Sequence, residues 1–445
     1  MLGRALNIFA KLLIVIFLLL LAYVVFAVLI NLRDEPPSAA AVEFEQAWNN
    51  RAAVADIDNG YLFLLGFDVA EDEDPKAIGR ERVKWSNAVI AALTEDSVDF
   101  PQPGYSVAEH LPAQFGELVQ LCRDITHSCV IAIAEQRAAI NEWQQNNHWV
   151  NDRYRQLIAH KGWLELSAVD IRLPLPKYAD VMQAQRILFM SAFAANPPVI
   201  NLEFGQLLDS DLQFWRLVLK NTDSLIGKMI AASAIKNNFL WANHFLRGGG
   251  QLLPTTSHYL AFSKDEMSMY RCLVGEWQFA YRSYQSQFDK QLTKTSEKLV
   301  MGLVHKKQDT INQMAERLQT LEQQLDVPSD HLEAAIIAYE QTQQQELAGH
   351  TTLDYLTRPY NLVGQILVNI ATPAYSNYFA RTQNLEAFRR GLLLSAEKIQ
   401  GQSTAASVLV SPYPGKPFVL DEQQRSITVR GLGNGTSQLT QTYFY

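Results

Sequence analysis

Two serines stand one helical turn ahead of a lysine, in Ser233-Ala234-Ile235-Lys236 and Ser395-Ala396-Glu397-Lys398. At that spacing a lysine amine can help activate a serine nucleophile. The Ser-Asp-Asn and Lys-Thr-Gly elements that complete such a site are missing from the chain, and a four-residue pattern met twice carries little specificity. Glu117, Glu165 and Glu203 are the carboxylates considered for acid–base cleavage of a glycosidic bond, a reaction that needs two such groups to meet in space. Sequence distance alone does not say whether they meet.

Metal and phosphate chemistry find less support. The nine histidines are dispersed, and no His-Glu-x-x-His holds two imidazoles and a base on one helix face. His305 with Asp309 and His350 with Asp354 are four residues apart, the spacing of surface hydrogen-bonded pairs on a helix. His244, beside Trp241 and Phe245, reads as a core histidine. Asp56-Ile57-Asp58-Asn59-Gly60 has the flavour of a calcium loop, but its glycine comes one place early and Phe67 occupies the position of the bidentate glutamate. Arg247 to Gln251 and Gly431 to Gly435 are rich in glycine without the lysine and hydroxyl of a phosphate loop, so both read as turns. No catalytic set is assigned, and neither a cofactor nor a metal site is expected.

Cysteine chemistry is better defined. Cys122 and Cys129 would lie about 10 Å apart on one continuous helix, too far for a bridge, so a disulfide between them requires a turn joining two helices. Asp124 and Ser128 suit such a turn. In an oxidising compartment the pair is expected to be bridged. His127 between them suggests a metal cluster only weakly, since a fourth ligand is not evident. Cys272, among Tyr270, Leu273 and Val274, is expected to be buried as a small hydrophobe.

The elements that must position these residues begin with an apolar run. Leu12 to Ile30 carries no charged side chain, and its length is close to what a helix needs to cross the hydrocarbon core. Arg4 and Lys11 precede the run, while Arg33 after it is followed at once by Asp34 and Glu35. The positive-inside bias therefore places the N-terminus in the cytoplasm. Cleavage after Ala27 would fall inside the run, and the Ala39-Ala40-Ala41 site lies well beyond it, so a retained anchor is expected. The reading divides the chain into a cytoplasmic tail (1–11), a transmembrane anchor (12–31), a linker (32–41), a helical region (42–400) and a small β appendage (401–445).

Composition agrees with a folded body. The chain of 445 residues is 48% hydrophobic and 19% charged, with a net charge of −8, which removes the basic field that would hold a nucleic acid. Residues 42–120 hold fifteen Asp and Glu against five Lys and Arg, densest in Glu71 to Asp74, where a solvated loop is expected. From Leu208 to His244 apolar residues recur at helical spacing, with Asn221-Thr222-Asp223 as a break and Gly248-Gly249-Gly250 as the end. Residues 130–160, including Ile131 and Ile133, also read as helical. Ser263-Lys264-Asp265-Glu266 has capping-box form and opens a helix carrying Tyr270 to Phe288. Ile311, Met314, Leu318, Leu321 and Leu325 form the seam of a bundle helix, stopped by Pro328 before Asp330 caps the next. After Gly401, Phe418 to Leu420, Ser426 to Arg430 and Leu439 to Tyr445 alternate as strands.

Three phrases, Asn59 to Asp68, Tyr360 to Pro373 and Ser411 to Pro417, resemble signal-anchored bacterial envelope proteins of unassigned function. That resemblance implies a bacterial periplasm and no particular activity. The expectation is thus a mainly α protein of the bacterial inner membrane with a periplasmic helical body, acting as a binding or assembly protein with a membrane or envelope protein as partner. The alternative is an anchored hydrolase of cell-wall glycan or peptide.

Overall fold

The computed structural model describes residues 2–92, 102–105, 115–122, 127–195, 202–250, 259–287, 295–349, 357–371, 375–401, 409–433 and 440–445. It is mainly helical. An apolar helix α1 (Leu2–Ile30) is followed by α2 (Ala39–Asn49), α3 (Gly60–Leu65) and α4 (Pro75–Ala92). Next come α5 (Gly116–Leu121), α6 (His127–Glu135), α7 (Arg137–Asn146), α8 (His148–Ile158) and α9 (Tyr178–Ala195). The long pair α10 (Leu202–Asn221) and α11 (Leu225–Arg247) leads to α12 (Lys264–Met267), α13 (Tyr270–Gln287) and α14 (Thr295–Val304). Then follow α15 (Lys307–Leu325), α16 (Ser329–Gly349), α17 (Leu362–Ala371) and α18 (Ser376–Ile399). Strands β1 (Val419–Asp421), β2 (Ser426–Arg430) and β3 (Thr440–Phe444) form one antiparallel sheet in sequence order.

Asn7–Ile30 is long and apolar enough to cross a membrane, and none of it is buried in the body. Helix α1 starts at Leu2, so the tail expected over 1–11 continues the same helix. Its body end is fastened rather than loose. Asn31 donates to the Pro359 carbonyl (2.7 Å) and accepts from the Asn361 amide (2.9 Å). Asp34 accepts from the Gln308 and Asp309 amides at the N-terminus of α15, and Asn312 holds Ser38 and Pro36. The stretch expected as a linker is therefore stitched to α15 before α2 begins at Ala39.

At the centre, α11 packs against α10 and α18, with α9 and α13 alongside. Seventeen of its twenty-three residues are buried, so more than one face of this helix is covered. A buried polar knot crosses this core. The Asp211 carboxylate accepts from Tyr154 Oη (2.6 Å), from Gln185 Nε2 (3.0 Å) and from Asn238 Nδ2 (2.9 Å). Trp215 Nε1 donates to Tyr154 Oη and Tyr259 Oη to Asn238 Oδ1. Burial raises the Asp211 carboxyl to about 6. Lys228, also buried, donates to the carbonyls of Leu219, Glu266 and Ser268, binding the end of α10 to α12 and the turn after it.

Other elements refine the expectations. The helical stretch over 130–160 is three helices, and Ile131 faces solvent while Ile133 is buried. The capping box at Ser263 forms, but the helix it opens ends at Met267, and the stripe from Tyr270 to Tyr284 belongs to α13, Phe288 lying outside the described residues. The α15 seam is buried as expected, whereas α16 starts at Ser329, leaving Asp330 in its first turn. The break at 222–224 falls between α10 and α11. The C-terminal sheet is less an appendage than a lid on the core. Ile427, Val429 and Tyr443 are buried, and a Cβ on Gly391 of α18 would meet Val429 at 2.3 Å. The Asn243 side chain pairs with both backbone groups of Phe444, occupying the open edge of β3.

The sulfurs of Cys122 and Cys129 stand at disulfide distance, 2.14 Å, with Cα atoms 4.9 Å apart. Cys122 caps α5 and Cys129 lies in the first turn of α6, so the pair joins two helix ends. Unreduced, denatured protein should take up alkylating reagent only at Cys272, and mass spectrometry after reduction should find three labels. Asp211→Asn should destabilise the protein by about 2–4 kcal/mol, because its new amide faces donors that would be left unpaired. Denaturant titration in detergent measures this.

Candidate functional site

A cleft of about 220 Å³ opens beside the N-terminus of α11, between α3, α4, the 165–178 segment and α13. The turn from α10 into α11 explains its chemistry. Four N–H groups at a helix start lack intrahelical partners, and here side chains answer those of Leu225 and Gly227. Ser224 is the N-cap, its Oγ accepting from the Gly227 amide (3.2 Å). Glu276 Oε1 accepts from the Leu225 amide (3.1 Å). Glu165 Oε1 accepts from the Asp223 amide (3.2 Å), from Thr222 Oγ1 (2.5 Å) and from Trp163 Nε1 (3.3 Å).

Each carboxylate is placed by a distinct local device. Glu165 follows α8 in an extended segment tied to the start of α3. Asn59 donates to the Leu164 carbonyl and accepts from the Leu164 amide, while the Gly60 amide donates to Gly162. Asp223 is held between two guanidinium groups, Arg51 Nη1 at 2.5 Å and Arg271 Nε at 2.7 Å. Arg51 is in turn stacked 3.6 Å over Trp48 and donates to the Glu165 carbonyl. Glu276 sits on α13, which approaches closely because of Gly275: a Cβ there would lie 1.7 Å from the Asp223 carbonyl oxygen.

Burial, and then the Asp223 charge, raise the Glu165 carboxyl to about 7. Burial also raises Glu276. The hydroxyls of Tyr61 and Tyr178 are pushed up by burial and by Glu165, so both stay protonated. Cys272, donating weakly to the Thr222 carbonyl, is pushed up to about 12 by burial and is inert as a thiolate. Among the described residues, Oε2 of Glu165 and of Glu276 take no hydrogen bond. Toward the mouth, Trp85 and Tyr105 meet edge to face at 5.3 Å, with Arg82 over Tyr105 and paired to Asp68. The site offers acceptor oxygens, protonated hydroxyls and aromatic walls. It suits a ligand rich in hydrogen-bond donors.

The sequence candidates scatter. Glu165 is in this cleft, Glu203 lines a wider groove of about 820 Å³ between α8 and α10, and Glu117 is exposed on α5. The three do not form a pair. Ser233 and Lys236 share α11 outside this cleft. Ser395 is buried, donating to Leu392 and accepting from Asn243, while Lys398 reaches Glu422. His305 is buried at the α14–α15 junction rather than paired with Asp309 on a helix face. His350 and Asp354 lie outside the described residues. His244 packs against Phe193 and Trp241. Asn59 caps α3 and Asp56 pairs with Arg80, as suits a turn rather than a calcium loop. Among the described residues, no group of three metal-ligating side chains gathers. Asp223 and Glu276 went unread in the sequence. Their only signal was the Asn-Thr-Asp-Ser break, which marks a helix start and not the carboxylates that answer it.

Comparison of the chain with protein-family models, curated proteins and solved structures returned no match.

The raised Glu165 carboxyl sets the sign of a pH effect. The folded protein keeps this proton up to about pH 7, whereas the unfolded chain releases it near pH 4.5. Between those values the unfolded state binds fewer protons, so this group makes stability fall as pH rises. Glu165→Gln should flatten that fall above pH 6, with the Asp211 contribution remaining below it. Thermal melts in detergent across pH 4 to 8 read the difference.

Proposed function

We propose that this protein is an anchored binding component of a bacterial envelope, with α1 in the inner membrane and the helical body in the periplasm. The cleft at the start of α11 takes a donor-rich group of an envelope polymer, such as a sugar ring or an amine of cell-wall peptide. One observation carries the reading: Glu165 commits one oxygen to the Asp223 amide just ahead of the helix and Glu276 one to the Leu225 amide, and each leaves its other oxygen for a ligand. The apolar helix and the fastened Asn31 junction support an anchor that fixes the orientation of the body at the membrane. A membrane or envelope protein is the partner in this reading.

A periplasmic address also favours a bridged Cys122 and Cys129. The second reading, an anchored cell-wall hydrolase, has its own support. Glu165, protonated near neutral pH, lies beside an Asp223 held by two arginines, the kind of split that separates a general acid from its partner.

Purified full-length protein in detergent should sediment with isolated sacculi. Glu276→Gln should weaken that association by about tenfold, the scale of one charge-assisted hydrogen bond. Absence of co-sedimentation sinks the binding reading. New muropeptides released by the wild type and lost in Glu165→Gln would establish the hydrolase instead.

A further inference from the structure

Helix α17 turns its polar side chains to the protein and its apolar ones outward. It carries no charged residue, and its only polar side chains are Gln365 and Asn369. Gln365 Nε2 donates to the Tyr360 carbonyl (2.7 Å), and Asn369 Oδ1 accepts from Arg317 Nη2 of α15 (2.5 Å). Val368 is buried, whereas Ile366 is 39% and Ile370 69% exposed, with Leu362 and Leu367 partly exposed beside them. Leu362, Ile366 and Ile370 are four residues apart and share one helix face. Helix α14 packs on α17 and adds Val300, which is 61% exposed. An outward apolar face of this kind marks a contact with protein or membrane.

Its place in the fold distinguishes the two. Asn31 is the first polar residue after the apolar run that ends at Ile30, so in a spanning α1 it stands where hydrocarbon gives way to headgroups. The same side chain holds the chain just ahead of α17, through the Pro359 carbonyl (2.7 Å) and the Asn361 amide (2.9 Å). Lys306, which follows α14, donates its amide to Asn361 Oδ1 (2.7 Å). The start of α17 and the end of α14 therefore lie at the level where α1 leaves the bilayer. Ten residues of helix measure about 15 Å, too short to span but long enough to lie along the surface. Exposed Arg33 and Arg358 flank the junction, as suits lipid phosphates. Of the acids beside them, Asp34 is taken up by the α15 amides and Glu35 is exposed.

We propose that α17 makes a second, interfacial membrane contact: the face of Leu362, Ile366 and Ile370, together with Val300 of α14, lies in the headgroup boundary of the bilayer that α1 crosses. The inference rests on the reading of α1 as an anchor and goes beyond it, because a spanning helix alone leaves the body free to stand off the surface. An apolar helix face sunk into the interface adds buried area and seats one side of the body on lipid.

Full-length Ile370→Cys, labelled at the new thiol with a nitrobenzoxadiazole probe and reconstituted into vesicles of phosphatidylethanolamine and phosphatidylglycerol, tests this. The wild type, whose Cys272 is buried, gives the labelling background. Emission at Ile370→Cys is expected to be lost to lipid carrying a doxyl group high on the acyl chain and spared by iodide present on both sides of the bilayer. Ile366→Cys repeats the measurement should the first variant fold poorly, and far-ultraviolet circular dichroism checks both. Leu20→Cys, in the middle of the apolar run, reports separately on the anchor through lipid with its doxyl group low on the chain. Lipid quenching at Leu20→Cys with iodide quenching at Ile370→Cys overturns the inference and leaves the anchor standing. Absence of lipid quenching at Leu20→Cys overturns both. A probe at Ile370→Cys shielded from lipid and iodide alike means that protein, such as a second copy of this chain, covers the face, and overturns the inference as well.

Discussion

The first amides of α11 have to find acceptors inside the protein, and much of the architecture answers that demand. A buried N–H without a partner costs on the order of a hydrogen bond. Three segments far apart in sequence meet there: Ser224 of the turn itself answers the Gly227 amide, Glu276 of α13 answers the Leu225 amide, and Glu165 from the stretch after α8 answers the Asp223 amide just ahead of the helix. The positive end of the helix favours the carboxylates that gather there. Asp223 then needs its own compensation, which Arg51 and Arg271 provide. The close approach of α13 depends on Gly275, and the seat of the 163–165 segment depends on the Asn59 amide. The cleft is what remains when these requirements are met with more carboxylate oxygen than the amides use.

The same logic of side chains standing in for backbone partners recurs at the edges of the body. Asn243 pairs with Phe444 as a neighbouring strand would. Asn384 does so with both backbone groups of Leu432, fastening the sheet to α18. Asn361, in the left-handed region at φ 48°, accepts from the Lys306 and Gly364 amides while its own amide donates to Asn31. Asparagine tolerates that backbone region better than most residues. One small residue thus joins α1, α15 and α17. These bonds tie the body end of the apolar helix to the start of α15 and of α17.

Helix positions were legible where a single face is buried. The α15 seam from Ile311 to Leu325 follows from spacing alone, as does the break after Asn221, because the periodicity and the capping residues are local. The strands were legible from their alternation. The error over Ser263 to Tyr284 has a physical cause: a capping box specifies where a helix starts but not how far it runs, and the chain turns at Ser268 to bring Tyr270 and Trp277 against Phe44. His305 and Asp309 have helical spacing, yet a junction between two helices falls between them.

The sequence by itself determined the apolar N-terminal helix, the helical character of the body, the cysteine pair that needs two helix ends, and the strands that follow Gly401. Each depends on neighbours within a few turns of chain. Only the tertiary structure decided that Glu165, Asp223 and Glu276 share one helix terminus. Those groups meet because helices pack, and packing is set by the burial of apolar faces that say nothing about where the charged residues between them will land. The Ser-x-x-Lys spacing shows the converse. Ser233 and Lys236 stand where their spacing puts them, on one face of α11, but the surroundings that would give that spacing a catalytic meaning come from other helices.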